Sequence, residues 1–500
     1  MHPPMHAPTL HATGVFRHAL APWVLACALL SGTAHASPLL PVEHPAHQQL
    51  AAWAARGLLP ATATRPLTWA HLERMLEAAT PSTPADRTQI DRLRGEARLH
   101  RPGRRYLEMS LIGAFTEGGP FAYPPPPLPA NGGGPFPATG GRAFAERWGA
   151  EVGARLEQTG NRLTAVVAPH RMLGHGEGGH PLLQEGYLAA NAGPLWLAAG
   201  HQPIVWGPGP DGGFLLSTNA APLPALRVRS DELHRFSGKA SWLGRGGFDL
   251  FFARLEGNRA IPHPVLAGLR LDWAPGHRLA IGLSRTVMAG GRGHSLSGSD
   301  VWRIITGSNQ RAGVDTSNSI AGFDVALILP AGGHRGVRLY TEYAGEDESN
   351  AWPTKPAIRG GLLLAGLGPE ANHSLHAELA ATDVFYDAPP SGVWYRHSLY
   401  SSGYTFRGRI IGDPIGPKGR RSTLAWRRFG TRNDLNLSMR IGTSTSSPAT
   451  GYRQVQANWR RAVAPGAWWE VALGTGTRCT GADPHWEHLV MFRLQLAAPG

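Results

Sequence analysis

Cysteine is nearly missing from this chain: two in 500 residues, Cys27 and Cys479. Cys27 lies in a segment expected to be removed, so neither a disulfide framework nor a Cys-rich zinc site can be built. Lysine is almost as scarce, with Lys239, Lys355 and Lys418 the only three among 48 basic residues. The chain has no Lys/Arg-rich run interleaved with aromatics and no helix-turn-helix or RNA-binding signature. Its net charge of +13 therefore suits anionic lipid or acidic polysaccharide, and no nucleic-acid partner is expected. Charged residues make up 17%, against roughly 25% in an ordinary soluble domain. Long apolar runs are also absent after the N-terminus. The richest stretch, 187–200, is broken by Gly193 and Pro194, short of the ~18–20 residues of a spanning helix. There is no G-x-S-x-G and no H-E-x-x-H, and the adjacent His397 and Ser398 point to opposite faces of an extended chain. No catalytic residue is assigned.

What is present is turn-rich but not disordered. Gly (64) and Pro (43) form about a fifth of the chain, beside 42% hydrophobic residues and 16 Trp, too apolar for wholesale disorder. The N-terminus reads as an export signal: Arg17, an apolar stretch from Ala19 to Leu30, then the A-x-A site Ala34-His35-Ala36. Residues 1–36 are expected to be cleaved, which lowers the mature net charge to about +12 by loss of Arg17. Residues 37–100 carry helical spacing. Leu50, Trp53 and Ala54 share one face of Pro45–Arg56. Thr68 caps a helix bearing Leu72, Met75 and Leu76, and Thr83-Pro84 with Asp86 opens a third bearing Ile90, Leu93 and Ala97. A small helical bundle results.

From Arg105 the period changes to two. Leu435, Leu437, Met439 and Ile441 alternate with Asn436, Ser438 and Arg440. Val337, Leu339 and Tyr343 alternate with Arg338, Tyr340 and Glu342, and Leu269, Leu271 and Trp273 with Arg270 and Asp272. These segments run near ten residues, the length a tilted strand needs to cross a bilayer, whereas globular strands average five to six. Connections alternate between tight (Thr159-Gly160-Asn161, Pro275-Gly276, Pro465-Gly466) and long (116–147, 202–235, 287–319, 443–451). Short turns on one side and long loops on the other are the pattern of an outer-membrane barrel. Trp148, Trp242, Trp273, Trp459, Trp468 and Trp486 suit its interfacial girdles. Residues 101–500 are thus read as an all-β transmembrane barrel following a bundle that faces the periplasm. Nineteen segments can be counted, yet both chain ends in one compartment require an even number. The miscount lies in 384–420: either 393–399 is a further strand or 402–411 is not in the wall, and about eighteen antiparallel strands is the preferred count.

Several stretches resemble the capsule assembly Wzi family. They are His201 to Gly209 with its Trp206-Gly-Pro-Gly, Leu215 to Pro224 with Ser217-Thr-Asn219-Ala220, Tyr340 to Glu348, Tyr395 to Tyr404, and Arg65-Pro66-Leu67-Thr68-Trp69. The likeness spans about 40–496. It departs at the Pro/Gly-rich insert 118–141 and at Ala221, where an Arg is expected. The resemblance implies an eighteen-strand barrel in the outer membrane of a Gram-negative bacterium, with a periplasmic helical bundle and a lumen closed by an extracellular loop. It also implies binding of capsular polysaccharide at the cell surface, a lectin without catalysis.

The loop chemistry agrees. Sugars stack on aromatic rings and accept or donate hydrogen bonds to carboxylates, amides and guanidinium groups, and an acidic polymer favours Arg. Within the plug loop 202–235, Trp206, Asp211, Asn219 and Arg227 are candidate polysaccharide contacts. Elsewhere Glu346, Asp347, Trp352, Trp394 and Tyr395 join them on the expected outer face. The Gly-rich plug has a purely structural reading too, as filling for the lumen. Glu346, Asp347 and Glu348 do not follow an EF-hand spacing, and His170, His175 and His180 recur at five, which suits no helix face. No metal and no cofactor is assigned. The expected partners are capsular or other acidic surface polysaccharide, outer-membrane lipid and lipopolysaccharide, and the chain is expected to act as a monomer. The alternative function is an outer-membrane porin or transport channel, which would need an open lumen.

Overall fold

The computed structural model describes residues 36–60, 64–117, 147–174, 183–295, 310–311, 314–315, 317–349, 352–384, 393–444, 450–480 and 483–499. The expected signal segment (Ala36 apart), the insert 118–141, His175 and His180 lie outside the described residues. So do the side chains of Asp347 and Trp352, whose backbones are described.

Three helices open the described chain: α1 (Ala46–Ala55), α2 (Trp69–Ala78) and α3 (Pro84–Ala97). The starts of α2 and α3 follow local capping chemistry. Thr68 accepts the amide of His71, and Thr83 and Asp86 complete a reciprocal capping box with Pro84 in the first turn. Their shared core includes Leu50, Trp53, Leu72, Met75, Ile90 and Leu93. None of these helices is long and apolar enough to cross a membrane.

Eighteen antiparallel strands follow. They are β1 (Arg105–Glu117), β2 (Arg147–Thr159), β3 (Leu163–Gly174), β4 (Leu183–Ala192), β5 (Leu195–Gln202), β6 (Leu223–Ser230), β7 (Arg245–Arg254), β8 (Val265–Ala274) and β9 (Leu279–Ala289). The second half comprises β10 (Ser317–Pro330), β11 (Gly336–Ser349), β12 (Trp352–Leu367), β13 (His373–Ala381), β14 (Gly419–Arg428), β15 (Asn433–Ser444), β16 (Thr450–Ala464), β17 (Ala467–Thr480) and β18 (Asp483–Pro499). Each pairs with its neighbour in sequence. The seam between β1 and β18 closes the sheet with Tyr106 opposite Pro499 and Glu117 opposite His488. His234–Arg235 also joins the sheet, as a short extension of β6 along β7. Closure leaves no edge strand.

The barrel is inside-out relative to a soluble protein. Leu269, Leu271, Leu437, Met439, Ile441 and Leu473 are exposed, whereas Arg227, Asp249, Arg270, Arg338, Glu342 and Arg359 are buried. An apolar outer wall over a polar interior is what a bilayer demands. Trp148, Trp242, Trp273, Trp459 and Trp486 are exposed as the girdle reading expects. Trp468 is the exception: it is 6% exposed and faces the lumen. It shares a face with Glu470, so its neighbour Trp469 takes the outward place and meets Trp459 edge-on at 4.7 Å.

Two boundaries change. The stretch 202–235 is not a single loop, since Leu223–Ser230 is a wall strand with alternating burial. Pro222 and Pro224 beside it masked that alternation. Segment 402–411 is not in the wall: it lies in the connection between β13 and β14, where only Thr405–Phe406 and Arg409–Ile410 pair with each other. That removes the nineteenth strand.

The helices sit in the tight-turn mouth of the barrel. Ala52 and Ala55 of α1 meet Leu363 and Ala365 of β12, and Gln89 donates to the carbonyl of Phe429 in the β14–β15 turn at 2.6 Å. Ahead of α1 the chain enters the lumen, where the Leu39 amide donates to the Tyr187 hydroxyl and Arg155 donates to the Leu39 carbonyl.

Candidate functional site

The lumen is filled by two inserted segments. The first, 203–222, leaves β5 at the loop end and folds inward. It exposes backbone carbonyls that the wall must satisfy, since a buried unpaired carbonyl is costly. Inward-pointing arginines do this. Arg227 donates to Pro203 (3.1 Å), Arg338 to Pro208 (3.0 Å), and Arg359 to Gly212. From the tight-turn side Arg65 donates to Gly209 and Pro210, and its own backbone pairs both ways with Val205 at 2.8 and 2.9 Å. Burial pushes the Arg65 guanidinium down to about 10, so it stays charged at neutral pH. Gly212 has φ +109, and a Cβ there would come 2.5 Å from the Cα of Ser217, so only glycine fits this fold-back.

The second segment lies within 382–418. Tyr395 donates its hydroxyl to the Phe214 carbonyl and accepts the Asp413 amide, both at 2.9 Å. Ser217 donates to the Gly412 carbonyl at 2.6 Å and Asn219 to the Ile410 carbonyl at 2.9 Å. A Cβ at Gly412 would overlap the Phe214 oxygen at 1.9 Å, which explains a glycine at this crossing. Asp413 is held by Arg421 at 2.8 and 2.9 Å and by Arg359. The tip crosses to the far wall, where Tyr404 donates to Thr286 (2.9 Å) and Tyr400 to the Gly290 carbonyl (3.1 Å). Trp206, Phe214, Phe251, Trp394, Tyr404 and Phe406 fill the space between.

The sequence-derived residues divide accordingly. Trp206 is buried, donating its indole N–H to Asp249 at 2.7 Å, and Arg227 grips the same carboxylate at 2.8 and 2.6 Å. Trp394 donates to the Lys355 carbonyl at 3.0 Å, and Glu346 accepts the Arg396 amide at 3.1 Å. Asn219, Glu346, Trp394 and Tyr395 are all buried. Asp211 is half-buried inside the lumen, 3.9 Å from Arg440. The outer-face placement is therefore corrected for Trp206, Arg227, Trp394 and Tyr395: their polar atoms are spent holding the two segments. Only the backbones of Asp347 and Trp352 are placed, at the loop ends of β11 and β12.

Sequence reasoning missed Asp249, Arg359, Glu378, Asp413 and Arg65 as the anchors of this filling. A partial signal existed, because Arg359 and Glu378 occupy the face of their strands opposite the outward leucines. It also missed the loop-end surface. Asn258, His263, Arg292, His294, Ser401 and Arg407 are exposed there. Arg259 staples the hairpin tip by donating to the Thr405 (2.9 Å) and Gly403 (2.8 Å) carbonyls, and the Arg407 guanidinium lies 5.1 Å from the Phe406 ring. Exposed guanidinium groups beside an aromatic ring can meet carboxylates in bidentate fashion. Among the described residues no cluster of three or more His, Cys, Asp or Glu is arranged to hold a metal ion.

Comparison with known proteins places this geometry. The model of the family described as capsule assembly protein Wzi matches residues 137–477. An uncharacterised 55.8 kDa protein in the cps region of Klebsiella pneumoniae is 29% identical over 170 residues, 33% of this chain and 34% of its own length. The chain thus matches about a third of the length of that curated relative. A solved barrel from Escherichia coli, the outer-membrane protein Wzi described as involved in group 1 capsule assembly and as carbohydrate-binding, is 19% identical. The match covers 91% of this chain and 99% of that one with a TM-score of 0.73, a likeness of fold.

Proposed function

The chain belongs to the capsule assembly protein Wzi family, and on that premise we propose that it is an outer-membrane lectin holding an acidic surface polysaccharide at its loop end. The observation that carries this reading is the filled lumen. Two segments bound by buried arginines form a lid, and a lid offers a binding face where a porin would offer a passage. The exposed Arg292 and Arg407 supply cations for an acidic polymer, and Asp347 and Trp352 at neighbouring strand ends add contacts. The buried Trp206, Asn219, Arg227, Glu346, Trp394 and Tyr395 act by holding the lid rather than by touching sugar. The role is binding, not catalysis. In this reading the segment 1–36 is cleaved on export, the helices face the periplasm and the monomer suffices.

The test is a glycan-binding assay on purified protein with the capsular or exopolysaccharide of its own organism. Arg292→Ala and Arg407→Ala should each weaken binding by about two- to fivefold, as expected of exposed ion pairs, and binding should fall as salt rises. A deletion strain should release polysaccharide into the medium while synthesis continues. Retention of the polysaccharide by the cells, together with no binding by the purified barrel, would overturn the reading.

A further inference from the structure

The bilayer-facing wall carries a depression that its own residues leave unfilled. Two rows of outward side chains run in register across four strands. The row nearer the loops is Gly360, Leu379, Ser422 and Ile441; the next is Leu362, Ala377, Leu424 and Met439. Small residues alternate between the rows, Gly360 and Ser422 in the first and Ala377 between them in the second. Together with Leu379, Leu424 and Met439 they line an open apolar groove. A Cβ on Gly360 would meet nothing within 4 Å, so the groove is real space on the surface.

Cations flank it on the loop side, and Arg428 is exposed farther off, at the turn end of β14. Arg453 of β16 stands opposite Ile441 in the same row and is exposed. Arg420 lies on the outward face of β14, two residues beyond Ser422, with its side chain 68% exposed and both Nε contacts on Asp383 (2.8 and 2.7 Å). Adjacent strands are about 4.8 Å apart, so a backbone separation on the order of 10 Å parts Ser422 from Arg453. A guanidinium on the lipid face of a barrel costs least near the interface and less still when an anion neutralises it.

We propose that this wall binds one phosphorylated, multiply acylated glycolipid of the leaflet at the loop end, the lipid A class. An acyl chain lies in the groove, one phosphate is held by Arg453 and a second by Arg420. Charge complementarity sets the choice: Arg453 beside the groove and Arg420 above it are separate cationic points, which fits a headgroup bearing more than one phosphate. The site rests on the reading that the barrel spans an outer membrane, and it is independent of the polysaccharide face.

The experiment uses full-length protein purified in detergent, with binding read by native mass spectrometry. Diphosphoryl lipid A, monophosphoryl lipid A, phosphatidylglycerol and inorganic phosphate are the probes. Wild type should retain one diphosphoryl lipid A and hold the monophosphoryl form and phosphatidylglycerol more weakly. R420Q/R453Q should weaken retention about tenfold, the loss of charge-assisted contacts. G360L, which fills the groove at an ordinary backbone conformation, should weaken it without changing charge. Heat-modifiable gel mobility identifies variants that remain folded barrels. Equal retention by wild type and both folded variants would overturn the site. So would equal binding of phosphatidylglycerol, or competition by inorganic phosphate alone. Failure to recover the protein in the outer-membrane fraction would instead overturn the membrane reading.

Discussion

Asp249 accepts two hydrogen bonds from Arg227 and one from the indole of Trp206, with all three side chains buried. Removing the carboxylate strands a guanidinium and an indole together. Breaking one side of a buried pair costs about 3–5 kcal/mol, far more than the pair's net worth. Asp249→Ala is expected to loosen segment 203–222 while the wall persists. Limited proteolysis should then cut within 203–222 in the variant and spare wild type. Tyr395 has a smaller part, a single hydroxyl between the Phe214 carbonyl and the Asp413 amide. Tyr395→Phe leaves two buried backbone groups unpaired, about 1–3 kcal/mol each at most. Its effect should be a measurable rise in hydrogen exchange at Asp413, without release of the segment. Asp249 was not singled out in the sequence; Trp206, Arg227 and Tyr395 were, as candidate contacts. Their chemistry was legible; their direction was not, because an aromatic or an arginine serves a sugar and a buried carbonyl equally well.

The helical element responds to pH in one direction. Burial pushes the Glu96 carboxyl up, but His44 at 3.2 Å and the nearby Arg92 outweigh it and hold the group at about 2. Burial likewise opposes, and Arg56 with Thr83 and Ser82 overcomes, so the Asp86 carboxyl is held below its ordinary range. Both carboxyls are depressed on folding, so their contribution is present above the unfolded carboxylate range and lost as pH falls through the folded value. Burial, followed by Arg65 and His44, pushes His47 down to about 3. A histidine that stays neutral in the fold stabilises it above 6.5 and loses that contribution between 6.5 and about 3. All three therefore weaken the bundle on acidification. Hydrogen exchange in α1–α3, corrected for the intrinsic pH dependence, should show lower protection at pH ~4.5 than at pH ~7, with β-strand protection unchanged. Unchanged helical protection would mean the three groups do not govern docking. Helix starts at Thr68 and Thr83 could be read directly because capping is local; the docking of α1 against Leu363 and Ala365 could not.

At the scale of the molecule, the bundle and the lid are one connected body. Arg65 ties the helical region to Val205, Gly209 and Pro210, and Ser217 and Asn219 tie that segment to Gly412 and Ile410. Deleting 207–216 alone should therefore give small, fluctuating conductance in planar bilayers, because the second segment still occupies the lumen. Deleting 207–216 and 398–411 together should give a stable open channel. A silent, folded double deletion would show that the lumen is blocked elsewhere. Orientation follows from turn length, and single cysteines in a Cys479→Ser background test it. In intact cells a thiol at 292 should label and one at 90 should not.

Alternation and loop length by themselves determined a closed antiparallel barrel behind a small helical region, because a two-residue period with apolar outward faces is a local property of each strand. Parity showed without any coordinate that nineteen segments was a miscount and placed the error in 384–420. Only the tertiary structure decided that 223–230 belongs to the wall and 402–411 to the lumen, and that Trp206, Arg227, Trp394 and Tyr395 face inward. The physical reason is that a segment's burial inside a barrel is set by which distant strands surround it. Arg338, Arg359 and Arg421 reach their partners across 54 residues or more in two cases and eight in the third, and no spacing along the chain encodes that meeting.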